Sequence, residues 1–216
     1  MAGRLLLVFR LVVRDLLRHR TETALLLVAL TAATGTLTVG LALNGIATRP
    51  FEQTRAATAG PDVVVKPLEN SPAALAALAP LATAPGVTAH SGPFRLAFLM
   101  LTARGRSVHV VVEGRDEAPA PVDQPAVTDG TWVRPGVVVV VERSFADALG
   151  VHTGDTVSVN GHPLRMLGTA VTAAWSAFPH VGWHHPGSIL SSAGGLVWVA
   201  QSDIGTIAGD QPLSYT

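Results

Sequence analysis

The sequence predicts an α+β protein, with one N-terminal transmembrane helix followed by a mixed α+β extracytoplasmic domain. Three observations predict it. Residues 24–48 contain no charged side chain, arginines cluster ahead of them, and beyond Arg49 short β-branched runs alternate with helix starts and Gly or Pro turns. The expected boundaries are 1–22 for a cytoplasmic basic leader, 23–48 for the span and 49–216 for the extracytoplasmic domain.

The leader comes first. Arg10, Arg14 and Arg18 repeat every fourth residue, so a helix places them in one stripe, while Leu6, Phe9, Val13, Leu16 and Leu17 fall on the other side. Such a helix suits the cytoplasmic face of a bilayer, with its apolar side in acyl chains and its arginines among lipid phosphates.

The uncharged stretch follows. At a helical rise of 1.5 Å per residue it reaches about 36 Å, more than the roughly 30 Å of a hydrocarbon core. A cleaved signal sequence has an apolar region of only about 7–15 residues close behind a short basic start. Here the run is longer and begins later, so a retained anchor is expected. Arg4, Arg10, Arg14, Arg18 and Arg20 precede it, whereas Arg49, Arg55 and Lys66 follow at growing distance. That asymmetry predicts a cytoplasmic N-terminus and a cell-membrane protein whose main domain is exported. Within the span Ala32, Thr36, Gly40 and Asn44 recur at four-residue intervals. Small residues on one face admit a second helix closely, and Asn44 can hydrogen-bond across such a contact.

Beyond the span the elements shorten. After the turn at Gly60-Pro61, residues 62–66 (Asp-Val-Val-Val-Lys) read as a strand. Ser71-Pro72 reads as an N-cap and first helical residue, ahead of an apolar face from Leu75, Leu78 and Leu81. Residues 94–102 and 107–113 read as a hairpin across Ala103-Arg104-Gly105-Arg106, and residues 118–125 as a loop. The valine run at 136–141 predicts a strand buried on both faces. Ser144 is the expected N-cap of a short helix ending at Gly150. Residues 156–159 and 163–167 flank Asn160-Gly161, the preferred residues of a type I′ turn. Residues 177–192 read as a long loop, 196–200 as a strand, and 201–204 as the opening of a helix. Mixed strands and short helices in this order argue against a doubly wound parallel sheet.

Composition narrows the functions. Lys and Arg total 15 and so do Asp and Glu, so no net field favours nucleic acid. There is no cysteine, which removes disulfides, thiol catalysis and Cys-ligated metals. No phosphate-cradling loop of the form G-x-x-x-x-G-K-[ST] occurs and no G-x-S-x-G, so neither nucleotide hydrolysis nor a serine nucleophile is expected. His180, His184 and His185 are the best candidates for metal ligands, but no acidic residue lies between Phe178 and Val199 and no H-E-x-x-H is present. They are expected to be surface or packing residues. Asp62, Glu142 and Asp155 read as turn and strand-end residues. No catalytic, cofactor-binding or metal site is expected.

Three stretches resemble the MacB/FtsX-like family of ABC transporter permeases. Residues 10–30, RLVVRDLLRHRTETALLLVAL, are similar to the family's arginine-rich start running into its first membrane helix. GPDVVV, residues 60–65, falls where the family's extracytoplasmic domain begins. Residues 136–170, GVVVVVERSFADALGVHTGDTVSVNGHPLRMLGTA, are similar to its succession of strand, short helix, Gly-Asp turn and hairpin. The resemblance implies a MacB-like periplasmic core domain and a permease subunit that transports a substrate, or transmits motion, using ATP hydrolysed by a partner ATPase. It also implies further membrane helices or a second permease, as a homo- or heterodimer, so the chain is expected to be truncated before the last three helices. The alternative is a single-pass anchored binding or adaptor domain without an ATPase.

Overall fold

A computed structural model describes residues 10, 18–67, 71–179 and 194–216, and only the backbone of 43–49. The chain divides into two compact units, Met1–Pro50 and Phe51–Thr216.

The first unit is dominated by helix α1, Arg20–Ala57, whose last turns belong to the second unit. Among the described residues, one stretch, Arg20–Ala42, is long and apolar enough to cross a membrane. Leu25, Leu26, Leu27, Val28, Leu30, Leu37, Val39 and Leu41 are all exposed. In water that surface has no reason to exist; in lipid it is the surface expected. Thr31, Thr34, Thr36 and Thr38 each donate their hydroxyl to a carbonyl one turn back, which satisfies these four hydroxyls within the helix, as an apolar surrounding requires. Pro50 lies within the helix, where it lacks the N–H that would bond the preceding turn.

The second unit is α+β. It contains α2 (Pro72–Ala76), a 3₁₀ turn (Ala79–Thr83), β1 (Arg95–Ala103), β2 (Arg106–Arg115), β3 (Ala126–Gly130), β4 (Val138–Glu142), α3 (Arg143–Leu149), β5 (Thr156–Val159), β6 (His162–Val171), β7 (Gly195–Ala200), α4 (Ile204–Ala208) and β8 (Ser214–Tyr215). The strands run in the order β2-β7-β4-β6-β5-β1, and β1 pairs back onto β2, so six strands close into a ring. β3 hangs on β6 and β8 on β1. Two pairings, β2 with β7 and β4 with β6, are parallel; the rest are antiparallel. Closure gives each of the six ring strands a partner on both sides, while β3 and β8 keep one unpaired edge each.

Alternation along the strands sorts side chains between two faces. Ala97, Leu99, Leu101, Val110, Val112, Val139, Val141, Val197 and Val199 form one core with Phe145 of α3 and Ile204 of α4. Leu96, Val111, Val140, Leu196 and Trp198 form another on the opposite face, with Val133 and Trp175. Phe145 lies against Gly195, where a Cβ would stand 2.2 Å from its ring. Only glycine fits there.

Several expectations hold. Ser71 accepts the amide of Ala74 as N-cap, with Pro72 first in the helix. Gly150 ends α3 at φ 70°. Asn160 and Gly161 have φ of 50° and 82°, as a type I′ turn requires. Of the valine run expected at 136–141, the strand takes Val138 onward and Val139, Val140 and Val141 are buried on both faces, whereas Val137 is exposed.

Others need correction. Residues 62–66 join no strand; six other strands close the ring, and β3 and β8 are the ones added to it. The cap of α3 is Glu142, not Ser144: its carboxylate accepts both the Ser144 amide (3.0 Å) and the Phe145 amide (2.9 Å), reaching two orphan N–H groups at once. β3 and β8 were not anticipated. The strand begun at Pro163 extends to Val171, two partners lengthening what a local pattern would stop at Leu167. Of the loop expected at 177–192, residues 180–192 lie outside the described residues.

Candidate functional site

The membrane stripe and the foot of α1 are the two places where function can be sought, one in each unit. Ala32, Thr36 and Gly40 are exposed on α1. Thr36 bonds back to the carbonyls of Ala32 (2.8 Å) and Ala33 (2.9 Å), so its hydroxyl is already satisfied. A Cβ added at Gly40 would meet no atom within 4 Å. No described part of the chain therefore packs on Gly40. The side chain of Asn44 lies outside the described residues, as do Arg14, His180, His184 and His185. Arg10 and Arg18 are exposed.

The foot of α1 is held in the second unit. A helix leaves its last carbonyls without intrahelical partners. Here the Gly60 amide closes back on Arg55 O (2.8 Å), and the loop before β3 donates to the two residues just past the helix: Asp123 N bonds Ala59 O (2.9 Å) and Gln124 N bonds Thr58 O (2.8 Å). Thr58 is fully buried by this contact. Asp123 adopts φ 52°, which turns its amide toward the helix end; Asp tolerates this left-handed conformation better than most residues.

That loop is fastened by a buried ionic cluster. Glu113 and Arg115 sit two apart on β2, hence on one face of it. Arg115 donates through Nη2 to Glu113 (3.2 Å) and to the Asp123 carboxylate, and through Nη1 to the Asp123 carbonyl (2.7 Å). Its guanidinium also covers the Phe94 ring at 3.6 Å. The second oxygen of Glu113 accepts from Trp198 Nε1 (2.9 Å). Asp123 Oδ1 takes the Thr172 hydroxyl (2.6 Å), which in turn accepts the Ala174 amide. The cluster thus joins β2, β7, the end of β6 and the loop that caps α1.

Burial pushes the Glu113 carboxyl above its ordinary value. The nearby Asp123 charge adds to this, while Arg115 and the Trp198 hydrogen bond oppose it. Lys66 lies with its ammonium 3.5 Å over the Trp175 ring. Burial pushes its pKa down to about 8, partly offset by the Glu113 charge.

Residue patterns did not reveal this cluster. The one local signal was the pair of charges, Glu113 and Arg115, ending an otherwise apolar strand on the same face. Their partners come from Asp123, Thr172 and Trp198, which no spacing rule connects.

The three carboxylates expected to be structural are placed by the fold. Asp62 pairs with Arg55. Glu142 caps α3. Asp155 accepts the His152 amide (3.0 Å), which with Arg104 holds its carboxyl below the usual range. A shallow cavity of about 200 Å³ lies beside Arg115, lined by Phe94, Trp132, Pro119, Pro121 and Pro125. Its polar rim is engaged internally: Trp132 Nε1 bonds Asp116 O, and Gln124 takes the Ala120 amide.

No family model matches the chain, and no curated protein matches it. Solved structures similar to the chain include two extracytoplasmic domains. One is the extracellular domain of the noncanonic ABC-type transporter YknZ from Gram-positive bacteria, 13% identical, covering 61% of this chain and 67% of that one at a TM-score of 0.38. The other is the periplasmic region of MacB from Actinobacillus actinomycetemcomitans, 16% identical, covering 66% of this chain and 63% of that one at a TM-score of 0.40.

Proposed function

We propose that the chain is a membrane-spanning subunit of an ABC-type transport or mechanotransmission system, moving or extracting a substrate with ATP hydrolysed by a partner protein. The N-terminus is cytoplasmic, Arg10, Arg14 and Arg18 rest among lipid phosphates, and the strand-ring unit is extracytoplasmic. The capped foot of α1 carries the reading. A helix whose following turn, at Thr58 and Ala59, is bonded to a loop, itself held by the Arg115 guanidinium, passes a displacement of its end to β2 and β7. A merely tethered domain needs no such joint. The sequence resemblance of residues 10–30 and 136–170 supports the same assignment.

Ala32, Thr36, Gly40 and Asn44 form the face that meets further permease helices or a second permease. Since a Cβ at Gly40 meets nothing among the described residues, Gly40→Leu leaves the subunit's own fold intact. Gly40→Leu combined with Ala32→Leu is expected to abolish co-purification of an ABC ATPase from native membranes, while the outer unit melts unchanged. A wild-type chain that brings down no ATPase overturns the reading in favour of an anchored adaptor domain. A C-terminal reporter active in the cytosol overturns the orientation.

A further inference from the structure

Residues 62–66, Asp-Val-Val-Val-Lys, form no backbone hydrogen bond among the described residues. Val63, Val64 and Val65 are 75%, 41% and 42% exposed. Three consecutive β-branched residues favour a strand, and a strand needs a partner. The ring of β1, β2, β7, β4, β6 and β5 is closed, and the two strands hung on it, β3 and β8, pair with β6 and β1 and not with residues 62–66.

The charges at its two ends say what fits. An antiparallel partner of the same sequence, paired about Val64, sets Asp62 against Lys66 twice over and Val63 against Val65. A parallel pairing would set Asp on Asp and Lys on Lys, which is unfavourable. Both end groups have bonding capacity left. Asp62 uses Oδ1 for Arg55, and its other oxygen has no hydrogen-bond donor among the described residues. The Lys66 ammonium touches the Trp175 face but has no hydrogen-bond acceptor among the described residues.

We propose that residues 62–66 are a self-association strand, pairing antiparallel with the same segment of a second copy about a two-fold axis through Val64. An interface of this kind is isologous, one patch meeting itself. A two-stranded ribbon of five residues is marginal in water. It gains from two chains sharing one membrane, which raises their effective concentration. The inference needs the membrane placement proposed above but not the ATPase.

The chain has no cysteine, so a single introduced thiol reports on the axis without background. Val64→Cys in the full chain, oxidised in native membranes, is expected to give a disulfide-linked homodimer, because facing Cβ atoms in an antiparallel pair lie about 4.5–5.5 Å apart. Val87→Cys, equally exposed but away from the segment, is the control. Adding Asp62→Lys to Val64→Cys makes both end pairs repulsive and should lower the cross-linked fraction roughly tenfold. Lys66→Asp should do the same, and the double reversal should restore it. Restoration separates pairing from damage to the fold. Cross-linking no higher than at Val87→Cys, linkage to another protein, or a dimer indifferent to both single reversals each overturns the proposal. Sedimentation with membranes is scored first in the same sample, so failure of the membrane placement is read separately from failure of the pairing.

Discussion

Two valine runs in this chain meet opposite fates. Val139, Val140 and Val141 in β4 are completely buried, hydrogen-bonded to β6 on one side and β7 on the other. Val63, Val64 and Val65 have the same chemistry and neighbouring charges of their own, yet they stand in solvent without a ladder. The difference is not propensity. β4 enters a ring whose places are filled by six strands, and its valines contribute to both cores at once. Residues 62–66 reach a sheet already closed. Burial is a property of the vacancy as much as of the segment.

The sharpest way to test that contrast is to place the same charge in each run. Val141→Asp puts a carboxylate among apolar side chains with no partner, and should destabilise the outer unit by more than about 5 kcal/mol, so that no folded protein is recovered. Val64→Asp should alter stability by no more than about 0.5 kcal/mol, measured by thermal melting. Equal losses would show that residues 62–66 are packed after all.

Arg115 tests the second difference, between a charge placed in the fold and one left at its surface. Arg115→Met strands Glu113 and Asp123 together in a buried site and should cost about 3–5 kcal/mol. It should also loosen the loop capping α1, read as faster amide exchange at Asp123 and Gln124. Melting unchanged by Arg115→Met would remove the cluster from any mechanical role.

Lys66 gives the smallest effect and the most specific. Its pKa in the folded chain, about 8, lies below the ordinary 10.5. Below pH 8 both folded and unfolded chains carry the proton, and the folded state bears the whole cost of a partly buried charge. Between 8 and 10.5 the unfolded chain binds more protons, so stability rises with pH there and levels off above. Lys66→Met should lose that rise, seen as a difference between the two melting profiles confined to this window. A shift of the same size at pH 6 as at pH 10 would assign the effect to packing on Trp175 instead.

How legible these features were follows from how local they are. The membrane segment showed itself as an uncharged run, and its threonine hydroxyls satisfy themselves within one turn. The Ser71 cap, Gly150 and the Asn160-Gly161 turn each answer a demand set within four residues. The cap of α3 was missed by two positions because Ser144 is the commoner capping type, while Glu142, at the end of β4, reaches the same amides with a longer side chain. The ionic cluster was hidden for a different reason. Glu113 and Arg115 are neighbours on a strand, but Asp123 belongs to a loop and Trp198 to a strand 85 residues further on.

From the sequence alone came the α+β class, the apolar helix, the main hairpins and the helix ends at Ser71 and Gly150, since each depends on backbone geometry or hydropathy over a few residues. Only the tertiary structure decided that six strands close into a ring, that β2 meets β7 and β4 meets β6 in parallel, and that residues 62–66 are left outside. A valine run is compatible with many partners and registers. Which it takes depends on the edges that distant segments leave open, and no local pattern encodes those.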